Sequence, residues 1–299
     1  MYPMIYDLAI SFVWIYDTEF TQLIEKMFQN KGFSTFIIGK FNLNEVTQLV
    51  RNNELKFKAY LDRASDEDES FIELGNLIQA SGTYIINDYK NVEKAIDKSV
   101  MHPILLDAGI TIPKTIIVPP YDKKPDVVIE NLEEIGIPFV IKPAYYSGAG
   151  WGVIKDASTI EKIEETRREN PDDNYLVQQR IHPKTINTKR AWFRPLFAFG
   201  SVIITFWDDQ THIYNYITEK EATEHHLEQI NSIVRKIESL AKLDYFSCEI
   251  ALTEDNRFYL IDYVNDQCDM RLKSNHPDGV PDDIVEKFIS VMMEFIAKL

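Results

Sequence analysis

The sequence predicts an α/β architecture with a parallel sheet in its N-terminal part and β-rich lobes after it. Three observations predict it. Up to residue 86, β-branched apolar runs alternate regularly with segments of helical spacing. Between residues 138 and 153 a glycine-rich loop joins two short strand-like runs. Near the C-terminus two strand-like segments, Tyr245–Leu252 and Arg257–Asn265, each place one carboxylate, Glu249 or Asp262, among core-forming residues.

The elements follow in order. Ile5–Trp14 reads as a buried strand. Asp17 caps a helix whose apolar positions Phe20, Leu23, Ile24, Met27 and Phe28 fall on one face, and Gly32 stops it. Strands at Ser34–Ile38, Phe57–Leu61 and Thr83–Ile86 alternate with helices at Asn44–Val50 and Glu67–Gln79. The acidic run Asp66–Glu69 starts the second of those helices, where negative charge suits the helix dipole, and reads as solvated surface. A boundary is expected near Asn87–Val92. Beyond it come a helix at Asp97–Ala108, a strand at Thr115–Val118, a helix at Asp126–Ile135 closed by Gly136, and a strand at Phe139–Lys142. A return strand is expected at Trp151–Ile154, a helix at Thr159–Glu169, and strands at Tyr175–Gln179, Ala191–Phe199, Val202–Trp207 and His212–Ile217. Thr218 and Glu221 form a capping box ahead of one long amphipathic helix, Glu221–Leu240. The carboxylate-bearing pair of strands and a final helix near Pro281–Leu299 complete the chain.

Composition restricts function. Of 299 residues, 45% are hydrophobic and 26% charged, which supports a packed core. With 32 basic against 47 acidic residues the net charge is −15, which argues against nucleic acid or an anionic membrane as partner. A phosphate-bearing ligand therefore needs a local group of Lys and Arg, or a metal. Two cysteines, Cys248 and Cys268, provide no disulfide framework and fit a cytoplasmic location. The apolar run Ile5–Tyr16 is interrupted by Asp7 and has no basic flank or cleavage site, so it reads as a first strand rather than a leader.

The carboxylates carry the chemistry. With Asp255 and Asn256 at the centre of the turn, Glu249 falls opposite Asp262, with Cβ atoms about 5 Å apart. Two such carboxylates on core strands require a shared proton or a cation between them, and a hard divalent ion such as Mg²⁺ is the economical choice. The second feature is Lys142, at the end of an apolar strand and just ahead of Ser147-Gly-Ala-Gly-Trp-Gly152. Glycines there let backbone N–H groups fold round an anion, as a flap over phosphates. Lys184, Lys189, Arg190 and Arg194 form a basic cluster in an acidic chain and are expected to face an anion, and Arg271 and Lys273 are candidates to face a phosphoryl acceptor.

Taken together these segments resemble the ATP-grasp family from about Asp97 to the C-terminus. Asp97-Lys-Ser-Val-Met-His-Pro-Ile-Leu-Leu-Asp-Ala-Gly-Ile-Thr-Ile-Pro113 is similar to the family's opening motif, Phe139-Val-Ile-Lys-Pro143 to its second lysine strand, and Tyr175-Leu-Val-Gln-Gln-Arg-Ile181 to the hinge beside adenine. The resemblance implies an ATP-grasp fold of two lobes (91–178 with the flap, 179–299 with the metal site) behind an N-terminal domain at 1–90. It also implies roles. Lys98 and Lys142 contact ATP phosphates, covered by Ser147, Gly148, Gly150 and Gly152; Gln178, Gln179 and Ile181 border the adenine. Arg194 and Lys142 act in catalysis, and Glu249, Asp262 and Asn265 bind Mg²⁺, with Mn²⁺ as a substitute. Three departures from the family pattern stand out: glutamines replace the usual hinge glutamate, no acid follows for the ribose, and Asp262 and Asn265 are three residues apart, which simple alternation puts on opposite faces.

The implied activity is an ATP-dependent carboxylate–amine or carboxylate–thiol ligase that works through an acyl phosphate on small-molecule or peptide carboxylate and amine substrates. A kinase of the same fold acting on a hydroxyl, and a nucleotide-binding module without turnover, are the alternatives. A homodimer is a further expectation.

Overall fold

The computed structural model describes residues 2–129, 131–147 and 150–299. Its first sheet is parallel. Strands β1 (Met4–Phe12), β2 (Thr35–Ile38), β3 (Leu55–Arg63) and β4 (Tyr84–Ile86) lie in the order β2-β1-β3-β4. Parallel neighbours need crossovers, which α1 (Thr18–Asn30), α2 (Leu43–Arg51) and α3 (Ile72–Ala80) supply. As the spacing predicts, α1 buries Phe20, Ile24 and Phe28. The acidic run does not start α3. Asp68 instead caps a short 3₁₀ turn, Glu69–Phe71, by accepting from the Ser70 N–H, and α3 begins after it. Two capped helices follow, α4 (Tyr89–Ile96) behind Asp88 and α5 (Lys98–Asp107) behind Asp97, so a helix runs across the expected boundary.

The second sheet is antiparallel. Strands β5 (Thr115–Val118), β6 (Phe139–Pro143), β7 (Ile154–Ala157) and β8 (Tyr175–Gln179) lie in the order β5-β8-β6-β7. The helix expected over 126–135 shrinks to one turn, α6 (Leu132–Ile135), because Val127 and Ile129 reach the core under this sheet from non-helical backbone. The return strand starts only at Ile154. Gly150 and Gly152, with φ of +77° and +66°, hold a turn where extended chain was expected. Helix α7 (Ile160–Arg167) covers one face of the sheet.

The third sheet builds around one long strand. A small hairpin, β9 (Thr185–Ile186) and β10 (Lys189–Arg190), leads into β11 (Trp192–Phe193), β12 (Leu196–Ala198), β13 (Ser201–Ile203), β14 (Phe206–Trp207) and β15 (Tyr214–Asn215). The strand expected over Ala191–Phe199 breaks at Arg194-Pro195, since proline gives no N–H to the ladder. Both halves, β11 and β12, still pair with β16 (Tyr245–Leu252), and the Cys248 N–H donates to the Pro195 carbonyl across the break (3.2 Å). On its other edge β16 pairs with β17 (Phe258–Asn265). The long helix expected over Glu221–Leu240 is two: α8 (Glu219–Glu224), with the anticipated capping box, and α9 (Glu228–Ala241). His226 has a φ of +53° in the joint between them, which ends the first helix.

Helix α10 (Asp282–Ile296) ties the lobes together. Its Phe288 meets Phe20 of α1 at 5.9 Å between ring centroids and Tyr245 of β16 at 5.3 Å. One continuous apolar cluster thus joins Leu8 and Ile10 of the first sheet to Trp192, Leu196 and Tyr245 of the third. A second cluster joins Ala144 and Leu176 of the middle sheet to Phe246, Leu260 and Tyr263. The middle and third sheets therefore meet along β17.

Candidate functional site

The two carboxylates face each other as the hairpin reading requires, with Glu249 paired to Asp262 across β16 and β17. The register that achieves this is not the simple one. From the turn inwards Leu252 pairs with Phe258, Ala251 with Tyr259 and Ile250 with Leu260; an irregularity then brings Asp262, not Ile261, opposite Glu249. A second irregularity brings Asn265 opposite Ser247. Two steps on β16 thus match three on β17, which is a β-bulge. Ser247 and Glu249 share a face, so the bulge returns Asn265 to the face that bears Asp262, and the three-residue spacing no longer separates them.

Three cations surround the pair. Lys98, the first residue of α5, sits 3.2 Å from an Asp262 oxygen. Arg194, at the break in the third sheet, lies 3.8 Å from Glu249 and stacks over the Trp207 ring at 4.7 Å. Lys142 donates to the Ile261 carbonyl (2.8 Å) and lies over the Tyr263 ring at 5.4 Å. These charges separate the two acids. Burial works against ionised Asp262, but Lys98 and Lys142 outweigh it and hold that carboxyl below the usual range. Glu249 is pushed up, by burial first and by the neighbouring Asp262 charge, although Arg194 opposes this. Burial pushes the Lys142 ammonium down to about 8. Arg194 remains charged in spite of burial, with the Glu249 carboxylate beside it.

Several positioning residues escaped the sequence reading. The Trp192 indole N–H donates to Glu249 (3.1 Å) and orients it; an aromatic in an apolar strand gives no sign of this. Asp97 caps α5 by accepting from the Ser99 and Val100 N–H groups (2.8 and 3.3 Å), which fixes Lys98, and the Lys98 N–H donates to the Ala144 carbonyl (3.0 Å). Asp173 accepts from the Tyr145 and Tyr146 N–H groups (2.9 and 3.2 Å) and anchors the start of the flap. His102 Nδ1 and the Tyr263 hydroxyl share a hydrogen bond (2.7 Å) beneath Lys142. Burial, then Lys142, pushes that histidine down to about 4, so it is neutral.

The remaining expectations divide. Ser147 is buried with its hydroxyl unpartnered among the described residues. Gly150 and Gly152 take left-handed backbone, and a Cβ at Gly152 would lie 2.9 Å from Pro143; Gly148 lies outside the described residues. Gln178 turns inward, with its amide nitrogen donating to the Thr115 hydroxyl (2.9 Å) and the Tyr263 hydroxyl (3.4 Å). Gln179 is half-buried and accepts from the Lys114 N–H at 3.4 Å, and Ile181 packs against the first apolar cluster. The expected anion-facing cluster is largely committed elsewhere: Lys184 donates to Asn256, Lys189 pairs with Glu221 and Arg190 with Asp209, leaving Arg194 as its member at the site. Arg271 is likewise held by Asp269 and Asp278, and Lys273 by the Tyr214 carbonyl.

Among the described residues no three His, Cys, Asp or Glu side chains gather. The donor set is two carboxylates and the Asn265 amide, all oxygen, which fits a hard divalent cation. No helix among the described residues is long and apolar enough to cross a membrane.

The fold has solved counterparts. The chain is similar to D-alanine–D-alanine ligase from Bacillus anthracis complexed with ATP, at 17% identity and TM-score 0.67, covering 97% of this chain and 96% of that one. It is similar to a RimK domain ATP-grasp protein from Sphaerobacter thermophilus (20% identity, TM-score 0.63, 95% and 98% covered). It is also similar to the ATP-grasp ligase PsnB complexed with minimal precursor, Mg and ADP (13% identity, TM-score 0.62, 95% and 98% covered). No family model matches the sequence, and no curated protein does either. The shared architecture over nearly the whole chain is the ATP-grasp fold.

Proposed function

We propose that this chain is an ATP-dependent ligase that activates a carboxylate and joins it to an amine. The carrying observation is the Glu249–Asp262 pair on facing strands, with Asn265 bulged onto the same face and Lys98, Lys142 and Arg194 around it, inside an ATP-grasp fold. Solved neighbours of this fold are ligases complexed with ATP, or with Mg and ADP, and one holds a precursor peptide.

Lys98 and Lys142 exchange their present partners for the phosphates of ATP, beside Ser147, Gly150 and Gly152. Mg²⁺, or Mn²⁺ in its place, would be held by Glu249, Asp262 and Asn265 and would neutralise phosphate charge. One oxygen of the substrate carboxylate attacks the γ-phosphorus, the bond to the bridging oxygen breaks, and ADP leaves with that electron pair. Arg194 steadies the charge on the transferring group. The amine nitrogen then adds to the carbonyl carbon of the acyl phosphate, the bond to phosphate oxygen breaks, and the amine proton passes to water.

Asp262→Asn keeps the shape of the site and removes one metal-binding charge. Calorimetric titration with an ATP analogue and saturating Mg²⁺ should show affinity weakened at least tenfold with the circular dichroism unchanged. Wild-type affinity in that variant would sink the assignment.

A further inference from the structure

We propose that Trp207 is the positioning residue for Arg194: its indole holds the guanidinium by the face and leaves the N–H edge free for the oxygens of a transferring phosphoryl group. The inference rests on the nucleotide reading above and adds a residue outside the set assigned there.

The arginines near the site differ in how they are held. Arg63 donates to Asp17, Arg190 to Asp209, and Arg271 to Asp269 and Asp278. Among the described residues Arg194 has no such partner. Its side chain is 17% exposed, and the carboxylate beside it, Glu249, lies at 3.8 Å, beyond hydrogen-bond reach. What the guanidinium does meet is the Trp207 ring, 4.7 Å from its central carbon.

That partner has a chemical consequence. A carboxylate clamp takes up two N–H groups and neutralises the charge. An aromatic face attracts the cation through its quadrupole and takes up none. It also suits a guanidinium, which is planar and weakly hydrated. Arg194 therefore keeps its charge and its donors for a ligand, in an orientation fixed before charge develops.

The platform is itself held. Trp207 is 7% exposed in β14 and pairs with Tyr214 of β15. The Arg194 N–H donates to the Thr205 carbonyl (3.1 Å), and the Thr205 hydroxyl donates back to the Arg194 carbonyl (3.1 Å), which ties the arginine to the residue just ahead of β14. After β14 the chain turns, with Asp208 accepting from the Gln210 and Thr211 N–H groups (2.9 and 2.8 Å). The turn brings the His212 imidazole onto the indole, with ring centroids 5.1 Å apart and planes 10° from parallel. A guanidinium resting on so confined a ring has little freedom to turn, and small misplacements of a reacting group are costly.

Orthovanadate, which beside Mg²⁺–ADP takes the place of a phosphoryl group in transfer, is the probe. With the full chain and saturating Mg²⁺–ADP, it should raise the melting temperature saturably beyond sodium chloride of equal ionic strength. Trp207→Leu should weaken the apparent vanadate affinity about fivefold or more, the size of a lost cation–π contact. Trp207→Phe, which keeps an aromatic face, should lose less than half as much. Mg²⁺–ADP affinity by calorimetry should stay within about twofold in both, because a contact made to the transferring group alone does not enter ground-state binding. Trp207→Met, flexible enough to fill the gap, replaces the leucine variant if that does not fold. A smaller vanadate loss in the variant without a ring, a greater loss in the phenylalanine variant, or a greater fall in ADP affinity overturns the proposal, the last two because they mark a packing role. A wild type that binds ADP but not vanadate removes the phosphoryl role of Arg194 and this proposal with it. A wild type that does not bind ADP overturns the nucleotide reading as a whole.

Discussion

At the scale of single residues the site is governed by charges held against burial. Lys142 is 6% exposed, and its value of about 8 lies below that of an ordinary lysine. Between that value and the ordinary lysine range the unfolded chain binds more protons than the folded one. Stability therefore gains from this residue as pH rises through that window, and below it the buried charge is a cost. Ligand binding has the opposite dependence, because only the ammonium form attracts phosphate. Affinity for Mg²⁺–ADP should fall as pH rises above about 8, approaching tenfold per pH unit, and Lys142→Arg should flatten the fall because arginine keeps its proton. Calorimetry from pH 6.5 to 9.5 checks both, and a pH-independent wild type would count against the phosphate role. How much of this could be read in the sequence differs by residue. Lys98, Lys142, Glu249 and Asp262 were legible because each is a charge in an apolar or capped segment, and the structure brings them together. Lys184, Lys189 and Arg190 were misread as facing an anion because their partners Asn256, Glu221 and Asp209 lie 19 to 72 residues away, and nothing local announces such pairs.

At the scale of elements, the departures from expectation occur where backbone chemistry overrides side-chain periodicity. Pro195 breaks one predicted strand, a left-handed His226 breaks one predicted helix, and a bulge in β17 repairs a spacing that looked wrong. The hydrophobic pattern shows which face a residue takes only while the register is regular, so the return of Asn265 to the face of Asp262 could be stated as a condition but not read directly. The flap belongs to the same class. Gly152 has a φ of +66°, and an added Cβ would press on Pro143 at 2.9 Å, so the turn demands glycine twice over. Gly136 has a φ of +86° but open space around its missing Cβ, and it lies outside the flap. Alanine at either position should cost about 1–2 kcal/mol of strain. Only Gly152→Ala should also weaken Mg²⁺–ADP binding, by about tenfold, because it displaces the strand end that presents Lys142. Equal nucleotide affinities for the two variants would remove the flap from the binding site.

At the scale of the whole molecule, the N-terminal sheet is expected to melt with the rest rather than alone. Its core is continuous with the third sheet through Phe20, Phe288 and Tyr245, and a buried polar contact spans the same junction. Arg63, 3% exposed at the end of β3, donates to both oxygens of Asp17 (2.9 and 2.8 Å) and to the Cys268 carbonyl (3.1 Å), just beyond β17. Asn87 adds a second tie, donating to the Tyr245 carbonyl (2.8 Å) and accepting from the Asp244 and Tyr245 N–H groups (2.7 and 3.1 Å). These contacts register the carboxyl ends of β1 and β3 against the loop that follows Asn265, the edge where open α/β sheets place ligands. Removing one partner of a buried ion pair is far more damaging than never having had the pair, since the other charge is left stranded. Arg63→Met should therefore cost about 3–5 kcal/mol, leaving Asp17 without a counter-ion and the Cys268 carbonyl without its donor. Asp17→Asn combined with Arg63→Met should recover part of that loss, because no stranded charge remains. Scanning calorimetry should show one transition for the wild type and a lower one for Arg63→Met. A wild type that melts in two separate steps, or an Arg63→Met loss below about 1 kcal/mol, would show that the N-terminal sheet and the rest of the chain fold independently and that this junction does not fix one against the other.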